Sequence, residues 1–489
     1  MNQQVVRIFA LALLLLGLLV AWTSRWTTFE AEELEARAEN RRALIAEQQI
    51  RRGSISTADG VVVAESRPRG GPQTAPVYVR RYPQGTLFGN PVGYNYVNIG
   101  RSGIEQSLND LLVGERNEFT SIIDQLRGRT REGADVTLTI NAEVQRLAVS
   151  ALQSAVASTA GSNGAGSVVA IEPDTGAVLV MASIPGYDPN DVRSEQTFSQ
   201  LAEQGTESPL FNRPTQGVYE PGSTMKVVTA AAALDSGNID PGTVLTANSP
   251  MPISGVPLSN AGGQSFGPID ATTALTNSVN TYWAQVGERL GTDTYIEYMD
   301  RFGFNADPEL DYPPNQMAPS GVYESGRLLG TGDLIDIGRA SIGQERLLTS
   351  PLQMAQAAGV IANGGVLMEP TFLQEASDPD GRTLEELDPT QQDRVISEEA
   401  ASQVAEMMTN VTREGTASGL SVGGVEFAGK TGTAEIDVEA SINRPWFIGF
   451  APAQDPQVAI AVMLERCTGC FGGEVAGPIG TEVMEALLR

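Results

Sequence analysis

The chain has 489 residues, with 59 acidic against 32 basic side chains, a formal net charge of −27 and no histidine. Without imidazole there is no Ser-His-Asp or Cys-His catalytic unit and no histidine metal site. So acidic a chain is also a poor partner for nucleic acid, whose phosphates call for clustered Lys and Arg.

Residues 8–22 form a mostly apolar run behind Arg7, and with Val5 and Val6 it approaches the ~20 residues of a bilayer span. Trp22 and Trp26 suit the far interface. Ala21-Trp22-Thr23 is a poor small-x-small cleavage site. That favours an uncleaved anchor over residues 5–23, with 1–4 on the cytoplasmic side, over a removed signal peptide. Residues 24–50 read as a stalk; 29–50 are rich in Glu, Ala and Arg without Gly or Pro and predict a solvated helix. Residues 51–134 are turn-rich and short-stranded, with a hairpin over 54–63 closed at Asp59-Gly60 and a loop over 67–72.

A larger unit is predicted over 135–489. Residues 136–140 alternate as a strand, and Asn141 caps a helix running to about residue 157. Strands over 167–171 and 177–182 form a hairpin, and 446–450 with 457–464 form another, turned at Asp455-Pro456. A last helix is predicted over 480–488. Strand pairs at both ends with helices between them predict an α+β unit, one antiparallel sheet with helices packed on it.

Only two residues are lysine, Lys226 and Lys430. Counts alone leave two readings open: compositional drift, or a need for amines that can lose a proton, as arginine cannot. Lys226 ends Ser223-Thr224-Met225-Lys226, after the turn-forming Pro221-Gly222 and before an alanine-rich helical run. Three residues apart on a helix, Ser223 and Lys226 share a face. A neutral amine there can take the serine proton without histidine. Lys430 lies in the strand-like Lys430-Thr431-Gly432-Thr433, where Gly432 predicts a bulge or a close backbone approach. Gly424, Gly429, Lys430 and Thr431 have the GxxxxGK[ST] spacing of a phosphate loop, but that loop must open a helix, and the segment around Lys430 reads as a strand. Ser278-Val279-Asn280 lies between the two, ahead of a helix predicted over 281–290 and stopped at Gly291. Alone it reads as a turn or cap.

Ser-x-x-Lys at 223, Ser-x-Asn at 278 and Lys-Thr-Gly at 430 resemble, in this order, the three signatures of penicillin-binding proteins and serine β-lactamases. Further segments resemble the class B penicillin-binding proteins, most of all their actinobacterial A-type members. These are Arg52-Gly53-Ser54-Ile55, Tyr82-Pro83-Gln84-Gly85, Val92-Gly93-Tyr94, Gly103-Ile104-Glu105, Thr139 to Gln145, and Ser341-Ile342-Gly343-Gln344. Glu345 stands where glycine is usual. The resemblance covers the whole chain. It implies a transpeptidase domain of β-lactamase-like fold over 135–489, after a small β-rich non-catalytic module over 51–134.

It also implies peptidoglycan D,D-transpeptidation. Ser223 would be the nucleophile, Lys226 its base, Ser278 and Lys430 the proton relay, and Asn280 a holder of the substrate amide. Thr431, Gly432 and Thr433 would bind substrate, with backbone N–H groups of Ser223 and Thr433 as the oxyanion hole. The implied partners are stem peptides, β-lactams, the plasma membrane and a membrane glycan polymerase of the RodA/FtsW type. No cofactor or metal is implied. A class A β-lactamase would need a Glu-x-x-Leu-Asn stretch after Ser278, which none of Glu288, Glu297, Glu309 or Glu324 begins. Cys467-Thr468-Gly469-Cys470, outside the membrane, reads by default as a short disulfide.

Overall fold

The computed structural model describes residues 2–28, 47–69, 77–114 and 132–489. Asn2–Thr28 form helix α1, with apolar side chains such as Ile8, Leu14 and Leu19 exposed. Among the described residues no helix is long and apolar enough to cross a membrane. Most of the expected stalk helix lies at 29–46, outside the described residues.

The expected hairpin forms from β1 (Ile55–Ser56) and β2 (Val62–Arg69), turned at Gly60 with φ +78°. β2 runs further than expected: Pro68 lies inside it, opposite Tyr78 of β3 (Val77–Arg81). A strand next to the sheet edge tolerates proline where its N–H is not needed for the ladder. β1 also pairs in parallel with β4 (Asp135–Leu138), so this sheet runs across residue 135. β7 (Leu373–Ser377) and β8 (Thr383–Glu386) complete its order, β8-β7-β4-β1-β2-β3.

A buried ion triad ties β1, β3 and a short helix together. Both oxygens of Glu105 are engaged, by Arg52 Nε at 2.6 Å and Arg80 Nε at 2.5 Å. Arg52 also donates to Asn109 Oδ1 (2.7 Å), Arg80 to the Gly53 carbonyl (2.6 Å), and the Tyr82 hydroxyl to Glu105 (3.3 Å). Burial would raise the Glu105 carboxyl, but the two guanidiniums outweigh it and hold it below its ordinary value. Arg52, Tyr82 and Glu105 all come from the family-like segments of the sequence.

Asn141 caps α2 (Ala142–Ser158) by accepting from the Val144 N–H. The main sheet has β5 (Gly166–Ile171), β6 (Val178–Ile184), β9 (Ala428–Asp437), β10 (Ile442–Ala451) and β11 (Val458–Leu464), in the antiparallel order β9-β10-β11-β5-β6. On one face α2 and α7 (Gly472–Leu487) bury Val144, Leu152, Ile479 and Val483 against Val168, Val180 and Val462. On the other lie α3 (Lys226–Asp235), α4 (Asn280–Leu290), α5 (Pro351–Ala362) and α6 (Glu398–Arg413).

The last helix starts eight residues before its predicted start, at Gly472, and carries Pro478 inside it. Glycine and proline read as helix breakers, but here packing wins. A Cβ at Gly480 would lie 2.6 Å from the Phe447 ring, and one at Gly477 would lie 2.5 Å from Leu420. The small residues let this helix lie close on β10 and its neighbours.

Candidate active site

Ser223 sits in a 3-10 turn, Gly222–Met225, that leads into α3 at Lys226, rather than in the first α-helical turn. Gly222 has φ +54°, and a Cβ there would lie 3.0 Å from the backbone of Thr433 and Ala434. Its N–H donates to the Gly343 carbonyl at 3.0 Å. Only glycine allows so tight a seam, and it leaves Ser223 half-buried at the mouth of the seam.

Lys226 is fully buried and reaches four oxygens. Its Nζ lies 3.0 Å from Ser223 Oγ, 2.7 Å from the Ser278 carbonyl, 3.3 Å from Ser278 Oγ and 2.6 Å from Asn280 Oδ1. Ser278 takes φ +56°, which turns its carbonyl and hydroxyl toward the amine from one residue. Asn280 opens α4 and is steadied by its Nδ2 donating to the Ser259 carbonyl at 3.1 Å.

Lys430 on β9 is also fully buried and donates to Ser278 Oγ at 2.8 Å and to the Thr431 carbonyl at 2.9 Å. Thr431 Oγ1 is 2.7 Å from Thr416 Oγ1, and Thr433 Oγ1 accepts from the Gly472 N–H at 3.2 Å. Gly432 makes a close approach and not a bulge: a Cβ there would lie 2.8 Å from the Pro221 carbonyl oxygen.

Among the described residues no carboxylate touches either lysine. Burial pushes the Lys226 amine well below its ordinary value, and Lys430 adds to the push. Burial pushes Lys430 down to about 7. A neutral Lys226 has two N–H donors and one lone pair. The donors fit the Ser278 carbonyl and Asn280 Oδ1, and the lone pair is left for the Ser223 hydroxyl. The described residues include no group of three or more Cys, Asp or Glu suited to a metal ion.

Residues 166–485 match the penicillin binding protein transpeptidase domain, and residues 52–136 the penicillin binding protein A dimerisation domain. The chain belongs to the class B penicillin-binding proteins. It is an enzyme of cell-wall synthesis, a peptidoglycan transpeptidase. It is 35% identical to peptidoglycan D,D-transpeptidase PbpA of Mycolicibacterium smegmatis, over 100% of this chain and 99% of the relative. Its fold resembles the penicillin G acyl-enzyme complex of penicillin-binding protein A from M. tuberculosis, with TM-score 0.78 and 32% identity over 90% of this chain and 100% of that one. A Pseudomonas aeruginosa PBP2 structure is similar too, with TM-score 0.71 and 30% identity over 90% of this chain and 96% of that one.

Behind Ser223 this penicillin-binding protein carries a polar brace that the motifs do not reveal. Arg444, on β10, pairs with Glu220, donates to the Glu465 carbonyl (3.1 Å) and lies 4.9 Å over the Tyr219 ring. Glu465 also accepts from buried Arg213 (2.8 Å) and from the Tyr219 hydroxyl (2.7 Å). The Trp446 indole donates to the Glu220 carbonyl at 2.9 Å. The brace therefore fixes the chain three residues before Ser223. Cys467 and Cys470 are joined, with Cα atoms 6.0 Å apart, and the Cys470 carbonyl accepts from Asn443 Nδ2 at 3.0 Å. The loop they close delivers the Gly472 N–H to Thr433. Glu345, at the glycine-like position, has φ +56° and an ion pair with Arg346 at 3.2 Å.

Proposed function

We propose that Ser223 is the acylated nucleophile and Lys226 its general base. The observation that carries this is a fully buried amine, 3.0 Å from a serine hydroxyl, with no carboxylate to keep it charged. Ser223 Oγ attacks the carbonyl between two D-alanines of a stem peptide, and its proton passes to Lys226. The backbone N–H groups of Ser223 and Thr433 face the developing oxyanion, each worth about 3–4 kcal/mol in acyl transfer. The C–N bond then breaks. The leaving D-alanine nitrogen takes a proton through the Ser278 hydroxyl, which lies between the two lysines. An amine from a second stem peptide attacks the Ser223 ester, forms the cross-link, and returns the hydroxyl proton. Asn280 holds the substrate amide, and Thr431, Gly432 and Thr433 bind the terminal carboxylate. β-Lactams acylate Ser223 as mimics of the first step.

In the same reading residues 5–23 anchor the enzyme in the plasma membrane by a single pass. Residues 24–50 are a stalk, 51–134 a non-catalytic module, and 135–489 the extracytoplasmic transpeptidase domain. A glycan polymerase of the RodA/FtsW type supplies the strands. The apolar, exposed side chains of α1 support the anchor.

Fluorescent penicillin should label the protein, and Ser223→Ala should abolish labelling; persistent labelling would remove Ser223 from this role. With a stem-peptide mimic, an acceptor amine should divert the acyl group into cross-linked product. Released acid alone, with acceptor present, would make the enzyme a carboxypeptidase.

A further inference from the structure

A cavity of about 370 Å³ opens in the β1–β3 region, with no residue of the Ser223 site in its lining, and that lining is basic in a chain of charge −27. Arg52, Arg69, Arg80 and Arg193 line it, and Glu47 is the one carboxylate among its described lining residues. Glu47 is already engaged by Arg101, and Glu105 is shared between Arg52 and Arg80. No described carboxylate pairs with Arg69 or Arg193. Arg80 is 6% exposed, and its Nη2 is buried with no hydrogen-bond partner among the described residues.

Among the described lining residues four guanidiniums stand against one carboxylate, so positive charge exceeds negative there. Ser66, Asn95 and Tyr96 add neutral polar groups to its wall. Guanidinium forks match the geometry of phosphate and carboxylate oxygens. The surplus of charge selects a multiply charged anion over chloride, and a phosphate monoester carries about −1.5 to −2 at pH 7. We propose that this cavity is an anion-binding site for a phosphate-class oxyanion, separate from the transpeptidase site.

The test titrates inorganic phosphate into the full-length protein in detergent at constant ionic strength, with chloride as the balancing ion, and follows binding by calorimetry and thermal shift. A ligand held only by the folded state raises the melting temperature with concentration. Phosphate should bind and stabilise where chloride does not. Arg69→Gln with Arg193→Gln, both at exposed positions, should weaken phosphate binding about tenfold or more, since charge-assisted bonds are the strong ones. Fluorescent penicillin labelling at an unchanged rate shows that the double variant is folded. A phosphodiester, glycerophosphoglycerol, separates the sources. Binding as tight as inorganic phosphate assigns the site to a lipid-headgroup or polymer diester, and weaker binding assigns it to free phosphate or a monoester. Equal stabilisation by chloride, or unchanged phosphate affinity in the double variant, overturns the proposal.

Discussion

Glu105 and Lys226 are both fully buried ionisable side chains, and their neighbours give them different tasks. Glu105 has a guanidinium on each oxygen, and its charge is stabilised in place. Lys226 has only neutral oxygens and a second lysine nearby, so its charge is what burial opposes. A buried charge with counter-ions is a structural tie. A buried amine without them is a base ready to accept a proton. The chain places arginine in the first setting and lysine in the second, and of the two only lysine can give up its proton.

The sharpest break of this contrast is Lys226→Arg, which puts a permanent positive charge where the amine can lose its proton. The rate of penicillin labelling should fall by about 10²–10⁴, the usual worth of general-base catalysis. Normal acylation in this variant would end the general-base reading. Glu105→Ala should act in the opposite way. It leaves two guanidiniums uncompensated and should cost about 3–5 kcal/mol of stability by chemical denaturation. Labelling per folded molecule should stay as it was. Replacing Arg52, Arg80 and Glu105 together by apolar residues should recover most of that loss, because a desolvated ion cluster is weak net glue.

The lysines also give a pH signature. An unfolded lysine titrates near 10.4, whereas folded Lys430 is pushed to about 7. Between these values the unfolded chain binds more protons, so stability rises with pH, by at most about 1.4 kcal/mol per pH unit per lysine. The window to measure is roughly pH 7 to 9.5, before the raised buried tyrosines oppose the trend. Lys430→Gln should flatten the slope, and a flat wild-type curve would contradict an uncompensated amine. The smallest effect is expected at Glu345→Gly, which relieves a left-handed residue and should stabilise by about 0.5–1 kcal/mol without changing labelling.

The chemistry of the site was legible because each motif is local. Ser223 and Lys226 are three residues apart, and so are the turn and helix signals that orient them. Asp59-Gly60, the Asn141 cap and the Gly291 stop were readable for the same reason. The family-like segments also marked Arg52 and Glu105, two members of the triad, but nothing in those segments shows that the two side chains meet. Features built by distant pairs were not readable. Arg444 and Glu220 are 224 residues apart, and neither sits in a pattern that predicts the other. The parallel pairing of β1 with β4, and the joining of β7, likewise depend on the closed tertiary structure. The last helix was cut short because its glycines and proline obey packing on Phe447 and Leu420 rather than intrinsic preference.

The strand order of the main sheet has a consequence for biogenesis. β9 and β10, which carry Lys430 and Arg444, join β5 and β6 only through β11. β5 and β6 leave the ribosome near the beginning of the catalytic unit, and β11 near its end. Until Val458–Leu464 docks between them, the two halves of the sheet share no strand ladder. A growing chain therefore carries its serine long before the second lysine can be set beside it. The reactive centre is completed late, once almost the whole polypeptide has been made.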